Sequence, residues 1–132
     1  MSRFILDTDI CIYWLKGNKN IEKSIIKNGL ENIFITVITE CELFYGAFKS
    51  VNKENNLAVV EELKKKIHTL HTNEGISYHY GKLKSDLELK GKVLDDADLL
   101  IASIALANNA TLVTNNTEHF ERIRGLKIEN WK

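Results

Sequence analysis

Short apolar runs alternate with helix-like stretches along this whole chain, and that alternation limits its fold more than any other feature. Phe4-Ile5-Leu6 and Ile33-Phe34-Ile35 are runs of strand length, and residues 68–71, 111–114 and 126–131 read the same way. Between them, residues 8–16, 21–28, 39–49, 55–66, 73–90 and 96–108 read as helices, with a short helical piece at 118–123. Gly17, Gly29 and Gly91 stand where three of these helices should stop. Leu57, Val60, Leu63 and Ile67 form one stripe opposite Glu61, Glu62, Lys64 and Lys65, as an amphipathic helix requires. Strands alternating with helices imply parallel βαβ units, so the expected class is α/β with helices on both faces of a parallel sheet. In such sheets ligands bind beyond the carboxyl ends of the strands.

Size and charge narrow the function. With 132 residues and no linker or repeat, the chain is expected to form a single domain over 1–132. Lys plus Arg and Asp plus Glu are each 18, so the net charge is zero. Binding nucleic acid by bulk electrostatics needs a basic chain, so any nucleic-acid site must be a local patch or depend on a metal or a partner. Cys11 and Cys41 lack metal or redox spacing and are expected to be buried free thiols. The amino terminus reads straight into a strand, and no apolar run approaches the roughly 18 residues of a membrane span, which predicts a cytoplasmic protein.

The acids carry the chemistry. Asp7 follows the first apolar run, Glu42 lies early in the third helix, and Asp98 lies in Asp95-Asp96-Ala97-Asp98 at the start of an apolar helix. Each has an ordinary explanation. Asp7 can cap the helix that follows it. Glu42 stands three residues after Thr39, a capping-box spacing. One acid near residue 96 suits a helix dipole, but three exceed what capping requires. Asp96 and Asp98 lie about 200° apart around a helix, so one is expected to cap and the other to bind. Asp98 is the expected ligand and Asp96 the cap or supporting group. Converging carboxylates repel and lose hydration, so a hard divalent cation is the natural reason to gather them. Thr114 and Asn116 after the fourth strand suit either a turn or an outer donor. Arg122 and Arg124 are candidate phosphate ligands.

These residues, taken together, resemble a PIN-domain ribonuclease of the VapC type. The resemblance runs through Phe4-Ile5-Leu6-Asp7-Thr8-Asp9-Ile10, Ile38-Thr39-Glu40-Cys41-Glu42-Leu43-Phe44-Tyr45-Gly46-Ala47, Asp98-Leu99-Leu100-Ile101-Ala102 and Leu112-Val113-Thr114-Asn115-Asn116, and ends in Glu129-Asn130-Trp131. It implies a three-layer α/β/α fold with about five parallel strands. It also implies Asp7, Glu42 and Asp98 as catalytic acids and Asp7 and Asp98 as ligands of Mg2+, for which Mn2+ can substitute. Thr8, Asp9, Asp96, Thr114 and Asn116 then surround the site. Asn116 stands where many members carry a fourth acid, and His119 stands where an acid is common.

What the resemblance implies about function is a metal-dependent endoribonuclease toxin. It would hydrolyse structured RNA, commonly tRNA, through a metal-activated water and leave 3′-hydroxyl and 5′-phosphate ends. It implies a cognate VapB-type antitoxin and a homodimer or a toxin–antitoxin hetero-oligomer. Trp14, Ile21, Ile25 and Ile26 on the first two helices are the expected sticky surface. Two rival readings stand beside it. The opening Asp7-Thr8-Asp9 also resembles a haloacid dehalogenase-type phosphatase, and Asn116 leaves room for an inactive PIN-type RNA-binding module.

Overall fold

A computed structural model describes residues 2–71 and 73–132. Its centre is a five-stranded sheet in the order β3-β2-β1-β4-β5. The strands are β1 (Phe4–Leu6), β2 (Ile33–Thr36), β3 (His68–Leu70), β4 (Thr111–Val113) and β5 (Lys127–Glu129). Every neighbouring pair is parallel. The chain winds outward from β1 through β2 to β3, then returns to the other side of β1 for β4 and β5. The winding therefore reverses between β1 and β4, which opens a crevice at their carboxyl ends.

Strand alternation divides the interior in two. Phe4 and Leu6, with Ile33, Ile35 and Val113, face one apolar cluster. Ile5 and Leu112 face the other, with Phe34 packed against it. The first cluster is covered by α1 (Thr8–Leu15), α2 (Lys19–Asn28), α3 (Val37–Phe48) and α4 (Lys53–Lys66). The second is covered by α5 (Glu74–Leu89), α6 (Asp96–Ala107) and the short α7 (Thr117–Phe120). This is the expected three-layer α/β/α arrangement. Because both faces are buried, β1 and β4 are apolar almost throughout rather than alternating apolar with polar.

Local chemistry sets the helix ends. Gly29 closes α2 at φ 87°, its N–H bonded to Ile25 O at 2.9 Å. That positive φ is a backbone region side chains rarely adopt, which favours glycine; the Glu31 carboxylate, 2.6 Å from where a Cβ would lie, is a flexible side-chain end that can move aside. The start of α3 differs from expectation. Thr36, not Thr39, is its N-cap, and the Thr36 side chain accepts from Thr39 N–H at 3.1 Å. The helix begins directly off β2 and takes its cap from the strand's last residue, so Thr39 and Glu42 form no capping box.

Two further expectations are corrected by packing. Ile21 and Ile25 are core residues that close α2 onto the sheet, and of the isoleucines on that helix only Ile26, 74% exposed, faces outward. Cys11 is buried as expected, whereas Cys41 is exposed because it lies on the outer side of α3.

Candidate active site

Asp7 sits at the crevice where the sheet reverses. The β1–β4 ladder runs one residue past β1, with Asp7 N–H donating to Val113 O at 2.8 Å, and Asp7 then serves as N-cap of α1. Its carboxylate is held at both oxygens. Oδ1 accepts from Thr8 N–H at 2.8 Å, and Oδ2 accepts from the Thr114 hydroxyl at 2.8 Å. Thr114 Oγ1 in turn accepts from Asn116 N–H at 3.0 Å. Asp7 is only 6% exposed. Burial pushes its pKa up to about 7, and the neighbouring Asp9 charge adds to that. The Thr114 and Thr8 hydrogen bonds oppose the rise, and Asp98 contributes a smaller upward push.

Asp9 lies in the first turn of α1. Its Oδ2 accepts from Asn115 N–H at 3.1 Å, which ties α1 to the loop after β4. Its Oδ1 is buried with no hydrogen-bond partner. Burial again is the main reason that its pKa rises. A buried carboxylate oxygen left unpaired is costly unless a cation or water meets it.

Glu42 and Asp98 complete the group from the helical layers. Thr8 Oγ1 lies 2.5 Å from Glu42 Oε1 and 3.1 Å from Thr39 Oγ1. A hydroxyl has one proton to give, so Thr8 donates to the carboxylate and leaves its oxygen to the Thr39 hydroxyl. Asp98 stands in the first turn of α6. Burial raises its pKa to about 6, followed by the charges of Asp95 and Glu42, while His119 pulls it back down. Asp7, Asp9, Glu42 and Asp98 thus act on one another electrostatically at the carboxyl edge of the sheet, although they come from one strand end and three helices. Among the described residues, no group of three acidic, histidine or cysteine side chains is gathered tightly enough to hold a metal ion by itself.

Several surrounding residues differ from the sequence expectation. The cap of α6 is Asp95, whose side chain accepts from Asp98 N–H at 3.0 Å. Asp96 turns away from the acids toward α5, where it accepts from Tyr80 Oη at 2.8 Å and pairs with Lys84 Nζ at 3.1 Å. Those bonds hold its carboxyl below the ordinary carboxylate range, Tyr80 first. An acid with a cation partner of its own is not needed at the crevice. Asn116 makes no cap bond, and its amide nitrogen lies 2.7 Å from His119 Nδ1. Arg122 donates to Val93 O at 3.2 Å and lines a cavity with Arg124 that none of the four acids borders.

Sequence reasoning assigns no site role to Asp95, Thr39 or His119. Asp95 carried a signal, since an acid three residues before Asp98 at a helix start is a capping pattern. Thr39 and His119 carried none for these roles, because the Thr39 bond to Thr8 and the effect of the His119 charge on Asp98 join segments far apart in sequence.

Comparison with known proteins fits this geometry. The PIN domain family matches residues 4–126. Ribonuclease VapC2 of Rickettsia felis is 39% identical over 133 residues, covering 97% of each chain. The tRNA(fMet)-specific endonuclease VapC of Shigella flexneri is 35% identical over 131 residues, covering 99% of each. A crystal structure of DNA-bound VapBC from Salmonella typhimurium contains a chain that superimposes with a TM-score of 0.94 at 37% identity, with both chains fully covered. The chain belongs to the PIN-domain family, as a ribonuclease of the VapC kind. The phosphatase alternative falls with that assignment. Among the described residues no helix is long and apolar enough to cross a membrane.

Proposed function

We propose that this protein is a divalent-metal-dependent endoribonuclease toxin that cuts structured RNA, with tRNA as its substrate class. The observation that carries the reading is Asp7: a carboxylate fixed at both oxygens, buried at the reversal point of the sheet, and raised to about 7 by burial and by neighbouring acids. A fold keeps such an arrangement where a hard cation relieves it. The donor set fits Mg2+ or Mn2+, since it is all carboxylate oxygen. Asp7 and Asp98 would hold the ion, and the orphaned Asp9 Oδ1 favours positive charge or water beside them. Mg2+ keeps several waters and rarely sits in an all-protein cage, which suits acids that do not enclose a site by themselves. Such an ion supplies charge neutralisation at the phosphodiester and an activated water.

The chain's own residues do the rest. The Thr114 hydroxyl and Thr8 N–H hold the Asp7 carboxylate by one bond at each oxygen, which leaves each oxygen acceptor capacity for a cation. Thr8 holds Glu42, whose carboxylate can orient the attacking water and accept its proton. The Asp95 cap fixes the first turn of α6 and with it the direction of Asp98. Attack by water leaves a 5′-phosphate and a 3′-hydroxyl.

An antitoxin of the VapB type is the proposed partner, as a toxin–antitoxin hetero-oligomer built on a toxin homodimer. A groove of roughly 380 Å³ between α1, α3 and α4 is lined by Ile12, Leu15, Leu43, Val59 and Val60 and reaches Glu42 at one end. It suits an apolar segment that ends in a basic side chain directed at the acids.

Purified wild type should cut bulk tRNA into discrete fragments with Mg2+ or Mn2+. EDTA and Asp98→Asn should each abolish the cutting. Cleavage that survives EDTA would overturn the metal, and binding of RNA with no cleavage would leave an inactive PIN-type module.

A further inference from the structure

We propose that the cavity between α5 and the segment after α7 is an RNA-docking site that holds a nucleotide away from the acidic crevice. The proposal rests on the reading of the protein as a ribonuclease and names where it grips its substrate. The cavity is roughly 380 Å³, with a floor of Leu83, Leu87, Leu106 and Ile123. Its rim carries Lys82, Lys90, Arg122 and Arg124 against a single acid, Asp86. Lys82 is paired with Asp86 at 2.9 Å, whereas Lys90, Arg122 and Arg124 enter none of the ion pairs among the described residues.

The charge distribution points to a polyanion. The whole chain has zero net charge, and its crevice gathers carboxylates that would repel RNA until a cation is bound. Three cations with no carboxylate partner around one apolar-floored hollow form the local basic patch that a neutral nuclease needs. Arg122 spends one N–H on Val93 O and keeps the rest of its guanidinium fork for a phosphate.

The rim also offers a surface for a base. Tyr78 is 69% exposed and stands edge-on to His79, with ring centroids 5.8 Å apart. An exposed aromatic beside cations is the combination that holds unstacked nucleotides, by stacking plus phosphate contact. The position links the two sites as well. His119, close enough to Asp98 to lower its pKa, is one turn before Arg122 on the same short segment. A strand crossing from cavity to crevice would follow that segment.

The test separates docking from cleavage. Affinity for a labelled RNA hairpin and for bulk tRNA is measured on the uncut Asp98→Asn protein, alone and combined with Lys90→Gln, Arg124→Gln or Tyr78→Ala. Lys23→Gln, exposed on α2 across the sheet from the cavity, is the charge-matched control. Lys90→Gln and Arg124→Gln should each weaken binding about five- to tenfold at low salt and lower the salt slope by about one. Tyr78→Ala should weaken it with no change in slope. In the active protein the same changes should raise KM with kcat held. Unchanged affinity in all three variants, with cleavage by wild type intact, would overturn the docking site and leave the nuclease standing. A loss of equal size in Lys23→Gln would assign the effect to net charge and overturn it too. Failure of wild type to cleave at all would strike the ribonuclease reading instead.

Discussion

Thr114 Oγ1 donates a 2.8 Å hydrogen bond to Asp7 Oδ2, joining residues 107 apart in sequence at the reversal point of the sheet. The bond does two jobs. It fixes the carboxylate's direction, and it offsets part of the burial that drives Asp7 toward its neutral form. Thr114→Val keeps the shape and removes the donor. The expected result is a metal requirement raised about tenfold, as when a group supporting a metal ligand is lost. A Mg2+ titration of cleavage reads it directly, and an unchanged half-saturation point would show that Thr114 serves packing only.

Asp7→Asn should have opposite effects on activity and stability. Cleavage should fall to background, because the amide cannot supply the charge. The metal-free protein should melt several degrees higher at neutral pH, since the substitution removes a buried charge that burial and Asp9 both oppose. A calorimetric scan in EDTA beside a cleavage assay checks both halves. Lower melting would mean that the carboxylate's hydrogen bonds matter more than its charge.

The places of Asp7 and Thr114 in the candidate site were legible in the sequence, for a physical reason. Asp7 and Thr114 both terminate short apolar runs, and the end of a parallel strand is a recognisable address. The directions of Asp95 and Asp96 were not legible. Both are acids at one helix start, and only the placement of Tyr80 and Lys84 on α5 draws Asp96 away. The same limit explains Ile21 and Ile25. Their spacing marks an apolar face, but whether that face meets the sheet or a second molecule depends on packing that the sequence does not state.

The helix start at α3 provides a sharper check. Thr36→Ala removes an N-cap and should cost about 1 kcal/mol of folding stability, while Thr36→Ser should retain most of it. Thr39→Val removes no cap. It should leave stability nearly unchanged and act on cleavage instead, by freeing the Thr8 hydroxyl that holds Glu42. Chemical denaturation of the three variants separates the roles.

Thiol labelling distinguishes the two cysteines. Cys41 is exposed and should react at once in the folded protein. Cys11 is fully buried, and its thiol is pushed well up by burial and by the Asp7 and Asp9 charges, so it should react only as the protein unfolds. Two labels at equal rates would contradict the packing of α1 against the sheet.

The acids should also give the metal-free protein an unusual pH dependence. Asp7 titrates near 7 and Asp98 near 6 when folded, against a reference value of 3.8 for both. Between about 4 and 7 the folded state therefore holds more protons than the unfolded one, and stability must fall as pH rises through that window. The contribution is complete below the unfolded pKa and is lost once pH passes the folded values. For Asp7, which is buried, it is on the order of a few kcal/mol. In EDTA the melting temperature should thus drop from pH 5 to pH 8 on account of these groups. Asp7→Asn should remove most of that slope, and Mg2+ should flatten it in the wild type, because a bound cation favours the charged forms. A slope equal in wild type and Asp7→Asn would place the titration elsewhere and undo the electrostatic account of the crevice.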